Sequence, residues 1–213
     1  MTLGFSEVTP APLAGVTDLK TDLWQKKFTF KSGTRYNVTA PSGKGKTTFV
    51  HCLYGLRFDY SGQVMIDSVS ASNITIHQWS ALRKDSLSIV FQDLRLFLHL
   101  TALENILVKS ALYSEDTNDR ISRMAEELQI SHILNKKGNQ LSYGERQRVA
   151  ILRAMLQPFQ WLLLDEPFSH LDEENAQRAA ALIDQEVTVR GAGMIVTSLG
   201  EDMHFNFDER VRL

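Results

Sequence analysis

The chain predicts an α/β fold with a mostly parallel sheet, an antiparallel β part near its start and an inserted α-helical part in its middle. Three observations carry this. Short strand patterns alternate with helical ones along most of the 213 residues. Trp161 to Leu164 is a continuous apolar run of strand length, as expected of a central parallel strand with both faces covered. From about Asp93 to Leu156 the apolar period is mainly helical, which reads as an inserted lobe.

The elements follow in order. Thr2 to Val8 alternates with period two and predicts a strand, which Pro10 and Pro12 interrupt. Phe28 and Phe30, then Tyr36, Val38 and Ala40, alternate again around a Ser32-Gly33 turn. After Gly45 the pattern turns helical, with Phe49, Val50, Leu53 and Tyr54 on one face. Gly62 to Ile66 and Leu87 to Phe91 read as short strands. Within the helical stretch, Ile121, Met124, Ala125 and Leu128 recur at helical spacing, as do Val149, Leu152 and Leu156. A helix from Glu173 to about Val189, a strand from Met194 to Thr197 and a closing strand from Arg210 to Leu213 complete the order. With no repeat and no Gly/Ser-rich linker, one domain is expected over residues 1–213. Its core comprises 1–91 and 159–213, and its helical lobe 92–158.

Composition excludes several classes. Hydrophobic residues are 43% and charged residues 23%, values of an ordinary globular chain. The 23 Lys and Arg nearly balance 25 Asp and Glu for a net charge of −2, so broad electrostatic binding to nucleic acid is not expected. The longest uninterrupted apolar run is Ala179 to Ile183, whereas a spanning helix needs about 20 apolar residues. Residues 1–12 lack the basic and apolar regions of a signal peptide. The lone cysteine, Cys52, excludes an internal disulfide framework and reads as a small buried hydrophobe. A soluble intracellular protein is the expectation.

Two motifs carry chemistry. Ala40-Pro41-Ser42-Gly43-Lys44-Gly45-Lys46-Thr47-Thr48, between a predicted strand and helix, has the spacing of a phosphate loop. Its glycines let backbone N–H groups turn toward phosphate oxygens, and the helix that follows adds its positive end. Lys46 is placed to reach the β- and γ-phosphates of a nucleotide, and the Thr47 hydroxyl to ligate Mg²⁺. Ala40 stands where a glycine is usual. Lys44 either adds a cation toward the phosphates or remains a solvated loop lysine. The second motif is the strand end Leu164-Asp165-Glu166-Pro167. In a phosphate-loop fold this strand is expected beside the one feeding the loop, with Asp165 holding Mg²⁺ and Glu166 orienting or deprotonating the attacking water.

A third motif brings in a family. Leu141-Ser142-Tyr143-Gly144-Glu145, followed by Arg146-Gln147-Arg148-Val149-Ala150, resembles the signature of ATP-binding-cassette (ABC) ATPases. Gln92 after Leu87–Phe91 is similar to the family's Q-loop glutamine, and Ser169-His170-Leu171-Asp172 to its D-loop. The resemblance runs over essentially the whole chain. It implies a phosphate-loop, RecA-like nucleotide-binding core, ATP and Mg²⁺ as ligands, and Gln92 as a third metal-side residue with Thr47 and Asp165. It also implies a head-to-tail dimer in which Ser142, Gly144 and Glu145 close over the partner's ATP. Glu166, Gln92, Lys46 and the residue at 198 form the expected catalytic set. Chain length and the signature run most resemble small ATPases of the lipoprotein-release, macrolide-efflux and cell-division branch, without a C-terminal regulatory domain.

Departures from the family pattern cluster on nucleotide handling. Tyr143 replaces a glycine, so its ring must point away from a phosphate or narrow the gap. Ser198 stands where a histidine is usual. No aromatic side chain near Ala11 and Pro12 is available to stack on adenine; Trp24 and Tyr36 are better explained by the sheet. His170, where alanine is common, either reaches across a dimer interface or is a partly exposed loop histidine. His204, near a strand end, is a still weaker substitute, and the six histidines show no metal-ligand spacing.

The resemblance implies an ATPase subunit that powers a membrane transporter or similar mechanotransmitting complex, with slow hydrolysis at Ser198. Its partners are transmembrane permease subunits on separate chains and a second cassette, identical or not, at the cytoplasmic face of the inner membrane. Leu96, Phe97 and Leu98 are either a docking patch for those subunits or lobe core. Two competitors remain: a soluble cassette ATPase such as an iron–sulfur assembly component, and a nucleotide-gated module that does not hydrolyse.

Overall fold

The computed structural model describes residues 1–16, 21–113, 117–200 and 203–213. In chain order the strands are β1 (Leu3–Pro10), β2 (Lys27–Phe30), β3 (Arg35–Thr39), β4 (Tyr60–Ile66), β5 (Val69–Ser70), β6 (Leu87–Val90), β7 (Trp161–Asp165), β8 (Gly193–Ser198) and β9 (Glu209–Arg212). The helices are α1 (Lys46–Leu53), α2 (Ile76–Asp85), α3 (Ala102–Ser110), α4 (Asn118–Glu127), α5 (Tyr143–Leu156) and α6 (Glu173–Arg190). One sheet is parallel, ordered β6-β7-β8-β3-β9; the other is antiparallel, ordered β2-β1-β4-β5.

The period of two along β7 and β8 divides the interior. Trp161, Leu163 and Ile195 face one cluster with Phe49, Val50 and Leu53 of α1 and with Phe5 and Val64 of the antiparallel sheet. Leu162, Leu164, Met194 and Val196 point the opposite way, because successive strand side chains alternate faces. They join Met124, Val149 and Leu152 from α4 and α5 and Ala179 and Ile183 from α6. The inserted helices therefore share one core with the sheet instead of closing on their own. Cys52 is fully buried in the first cluster, and burial pushes its thiol pKa up to about 12.

One expectation is corrected. β7 does not lie beside β3; β8 sits between them, pairing with β7 through Asp165 and Thr197 and with β3 through Thr197 and Val38. The crossover through α6 returns the chain to the place next to β7, where consecutive strands usually settle. Asp165 thus approaches the loop after β3 across Thr197. Other differences lie at element edges. β1 continues past Val8 to Pro10 through a register shift after Ser6. The short strand β5 and helix α2 also fall outside the predicted order. α2 buries only Trp79 and leaves Ile76 86% exposed, so its apolar period is weak. Its readable signal is the capping box, in which Thr75 and Gln78 bond each other's backbone N–H. No helix among the described residues is long and apolar enough to cross a membrane.

Gly193, at the start of β8, faces the buried Trp161 ring; an added Cβ would lie 2.5 Å from it. Gly193→Ala is expected to lower unfolding stability by about 1–3 kcal/mol, the usual cost of overpacking a core. A denaturant midpoint equal to wild type would show that the ring moves freely.

Candidate nucleotide site

The chain after β3 turns tightly over the start of α1. Gly43 and Gly45 have φ of 73° and 95°, a region that side chains rarely adopt. Gly45 caps α1 without a side-chain bond, so the first N–H groups of the helix are left for a ligand. Lys46 is 5% exposed; its Nζ donates to the carbonyls of Ala40 (2.9 Å) and Pro41 (3.2 Å) and lies 3.1 Å from Glu166 Oε1. Ala40 and Pro41 therefore act here through their carbonyls, and the methyl of Ala40 is tucked into the core.

The facing wall is the end of β7. Asp165 is 1% exposed; its Oδ1 accepts the Thr197 hydroxyl at 2.7 Å, while Oδ2 is buried with no hydrogen-bond partner. Burial raises the Asp165 pKa above the usual carboxylate value, and the nearby Thr197 and Thr47 hydroxyls oppose that shift. Glu166 has φ of 49°, a left-handed turn that redirects the chain directly after the strand. Its backbone N–H donates to Thr197 Oγ1 at 3.3 Å, so one hydroxyl holds both acids. Gln92, just after β6, bridges the two walls: Thr47 Oγ1 donates to its Oε1 at 3.1 Å, and its Nε2 donates to Glu166 Oε2 at 3.3 Å.

The phosphate loop, Gln92 and Glu166 line a cavity of about 320 Å³ together with Pro10, Pro12 and Leu13. Ser42, Gly43 and residues 45–48 line it; Lys44 is exposed and does not. No lining side chain is aromatic. Trp24 and Tyr36 are core residues, at 1% and 0% exposure. A second cavity of about 310 Å³ adjoins Thr47, His51, Gln92, Asp93, Tyr143 and Asp165. The unpartnered Asp165 Oδ2, with the Thr47 hydroxyl and Gln92 Oε1 nearby, is a set of hard oxygen donors that fits Mg²⁺.

Of the signature residues only Tyr143 reaches a cavity beside the phosphate loop; Ser142, Gly144 and Glu145 line neither cavity. Ser142 caps α5: its Oγ accepts from Glu145 N–H at 3.2 Å, and Glu145 Oε2 accepts from Ser142 N–H at 2.7 Å. Gly144 passes so close to the 168–171 loop that a Cβ would lie 3.1 Å from the His170 carbonyl. Ser198 is fully buried; its hydroxyl donates to Asn37 Oδ1 at 2.8 Å and accepts from Gly200 N–H at 3.2 Å. It lines neither cavity. His204 lies 3.6 Å from Glu173, and His170 is exposed. Sequence reasoning missed Thr197 and the apolar floor of Pro10, Pro12 and Leu13. Only the strand order shows that Thr197 stands opposite Asp165.

A sequence model of the ABC transporter family matches residues 23–169. This chain belongs to the ABC transporter family. The cassette is 37% identical over 172 residues to the glucose import ATP-binding protein GlcV of Saccharolobus solfataricus, covering 79% of this chain and 48% of that one. It is 37% identical over 143 residues to the lipoprotein-releasing system ATP-binding protein LolD of Buchnera aphidicola, covering 66% and 62%. Against the molybdenum import ATP-binding protein ModC of Saccharophagus degradans it is 41% identical over 142 residues, covering 66% and 38%. The chain thus spans less than two thirds of the length of each of these relatives. The solved dimeric structure of a bacterial ABC transporter cassette superposes with a TM-score of 0.82 at 25% identity, covering 99% of this chain and 94% of that one. The same cassette has been solved in a post-hydrolysis state bound to ADP and Pi, with the same TM-score, identity and coverage.

Asp165 allows a test of the metal side. Because its folded pKa is raised, its stabilising contribution is present below the unfolded pKa and lost as pH rises through the folded value. Once ionised, the buried carboxylate costs stability. Asp165→Asn is expected to unfold at the same or a higher temperature than wild type without ligand, and to lose the extra protection that Mg²⁺ adds to ATP. A lower unfolding temperature without ligand, or full Mg²⁺ protection, would overturn this.

Proposed function

We propose that this cassette binds and hydrolyses ATP and thereby drives a membrane transport complex. The observation that carries the proposal is the convergence of Lys46, Glu166, Gln92 and Thr47 on the cavity at the phosphate loop, with Asp165 in the adjoining cavity that shares Thr47 and Gln92. Lys46 is held against Glu166 and two carbonyls, and the γ-phosphate of ATP offers it a stronger anionic partner. Drawing Lys46 to the phosphates releases the Glu166 carboxylate, which then accepts a proton from the attacking water. Gln92, bonded to both Thr47 and Glu166, keeps the metal side and the water side in register. Thr47, Gln92 and Asp165 would hold Mg²⁺, which would supply positive charge to offset the negative charge of the phosphates.

Two cassettes meet head to tail, so that Ser142, Gly144 and the free N–H groups at the start of α5 close over the partner's ATP. The absence of Ser142 and Gly144 from the lining of their own site and the dimeric solved relative support this arrangement. The 92–158 segment carries both Gln92 and Ser142, and so links the ATP site to the dimer face. Phe97 and Leu98 are 47% and 44% exposed, while Leu96 is packed on the core, which favours a docking surface for permease subunits on separate chains at the cytoplasmic face of the membrane. The loop is stiff: the buried Asn105 side chain bonds the backbone of Phe97, Leu100 and Thr101, and Arg153 bonds the carbonyls of Leu94 and Arg95. The names of the relatives span import and lipoprotein release, and the substrate class is therefore left to the permease.

Hydrolysis is slow, because the Ser198 hydroxyl is spent on Asn37 and contributes nothing to holding the attacking water. The same observation favours the second reading, a nucleotide-gated module that binds ATP without splitting it. Glu166→Gln decides between them. It is expected to lower turnover about 10²- to 10⁴-fold, the size of a general-base contribution, with ATP binding retained. No measurable turnover in wild type leaves the gated module, and an active Glu166→Gln removes the assigned base. Ser198→His is expected to raise turnover in protein that unfolds at the wild-type temperature; a wild type as fast as this variant removes the claim of slow hydrolysis. A protein that stays in the cytosol with no membrane partner would instead be a soluble cassette ATPase.

A further inference from the structure

Tyr143 stands at the third signature position, where a family member typically has no side chain. Its surroundings lie within its own subunit. The phenol hydroxyl donates to the backbone carbonyl of Gln92 at 3.0 Å. The ring centroid lies 4.1 Å from that of His170, and the Arg146 guanidinium sits 5.2 Å from the ring centroid. The ring also lines the cavity next to Thr47 and Asp165. One side chain therefore touches three loops: the signature turn that carries it, the 168–171 loop after Glu166, and the turn that begins at Gln92.

The consequence runs through Gln92. Its carbonyl is pinned by Tyr143, and its side chain lies between Thr47 Oγ1 and Glu166 Oε2. With neighbours at Leu94 and Arg95 in left-handed backbone, the turn has unusual geometry that a single external bond can bias. We propose that Tyr143 is a positioning residue that holds Gln92 in the metal side of its own subunit's ATP site, so that α5 and the site move together. The signature of this chain then works on its own nucleotide through Gln92, besides any contact it makes with a partner's. The proposal rests on the ATP-site reading above for its meaning, and its test uses binding, not turnover.

The experiment titrates Mg²⁺ into protein with ATP and reads equilibrium ATP binding, with unfolding temperature measured on the same samples. Tyr143→Phe keeps the ring and removes the hydroxyl. It is expected to leave Mg²⁺-free ATP affinity at the wild-type value, to lower the unfolding temperature by a few degrees at most, and to raise the Mg²⁺ midpoint about two- to ten-fold, the upper range being the full worth of one hydrogen bond. Tyr143→Leu, which also lacks the hydroxyl, is expected to raise the midpoint at least as much, so the outcome does not hang on one variant's folding. In a Gln92→Ala background Tyr143→Phe is expected to add no further shift, because the side chain it positions is gone. An unchanged midpoint in both single variants, or an equal shift with and without the Gln92 side chain, overturns the proposal. A wild type that binds Mg-ATP but does not hydrolyse it overturns the ATPase reading alone, and the midpoints still decide the role of Tyr143.

Discussion

A carboxylate held out of water organises this site. Asp165 ends a strand whose other residues are apolar and fully covered, and one of its oxygens has no hydrogen-bond partner. Burying a charge is unfavourable unless something compensates it. The Thr197 hydroxyl compensates one oxygen, and the other has no hydrogen-bond partner. Thr197 also anchors the backbone of Glu166, and Glu166 holds Lys46. Removing the interaction of Asp165 with Thr197 would loosen the acid pair, the lysine and, through Gln92, the Thr47 hydroxyl together.

The parallel sheet makes that arrangement possible because it places three chain ends along one edge. β7 delivers the acids, β8 delivers Thr197, and β3 delivers the phosphate loop. Ligands in open α/β sheets collect at the carboxyl ends of the strands for this reason. The helical segment does not stand apart from this edge. Its helices α4 and α5 share a core with β7, β8 and α6, so a shift of α5 is felt by the same strands that position the site. Close-packed interiors transmit such shifts instead of absorbing them.

Much of the site was legible in the chain. Strand, glycine-rich turn and helix around residues 40–48 need no tertiary information, because each glycine answers a local backbone demand. The apolar run ending in Asp165 and Glu166 is equally local. Helix α2 was harder, since it buries one large residue and shows little apolar period; its capping box was the only local mark. Thr197 was not legible at all: a threonine near the end of an apolar strand is ordinary until the register sets it opposite Asp165. Tyr143 could be seen as a departure from its family, yet the direction of its ring could not be read from the chain.

Sequence alone therefore determined the chemistry present: a phosphate loop, a paired carboxylate end, a signature turn and no local aromatic for a base. These are set by residues a few positions apart, where backbone geometry and side-chain type act directly. The tertiary structure decided the neighbours. It put β8 between β7 and β3, turned Ser198 inward onto Asn37, and swung Tyr143 onto Gln92. Each of these depends on contacts between residues far apart in the chain, which are fixed by how the two faces of one sheet bury their apolar sets and not by any local pattern.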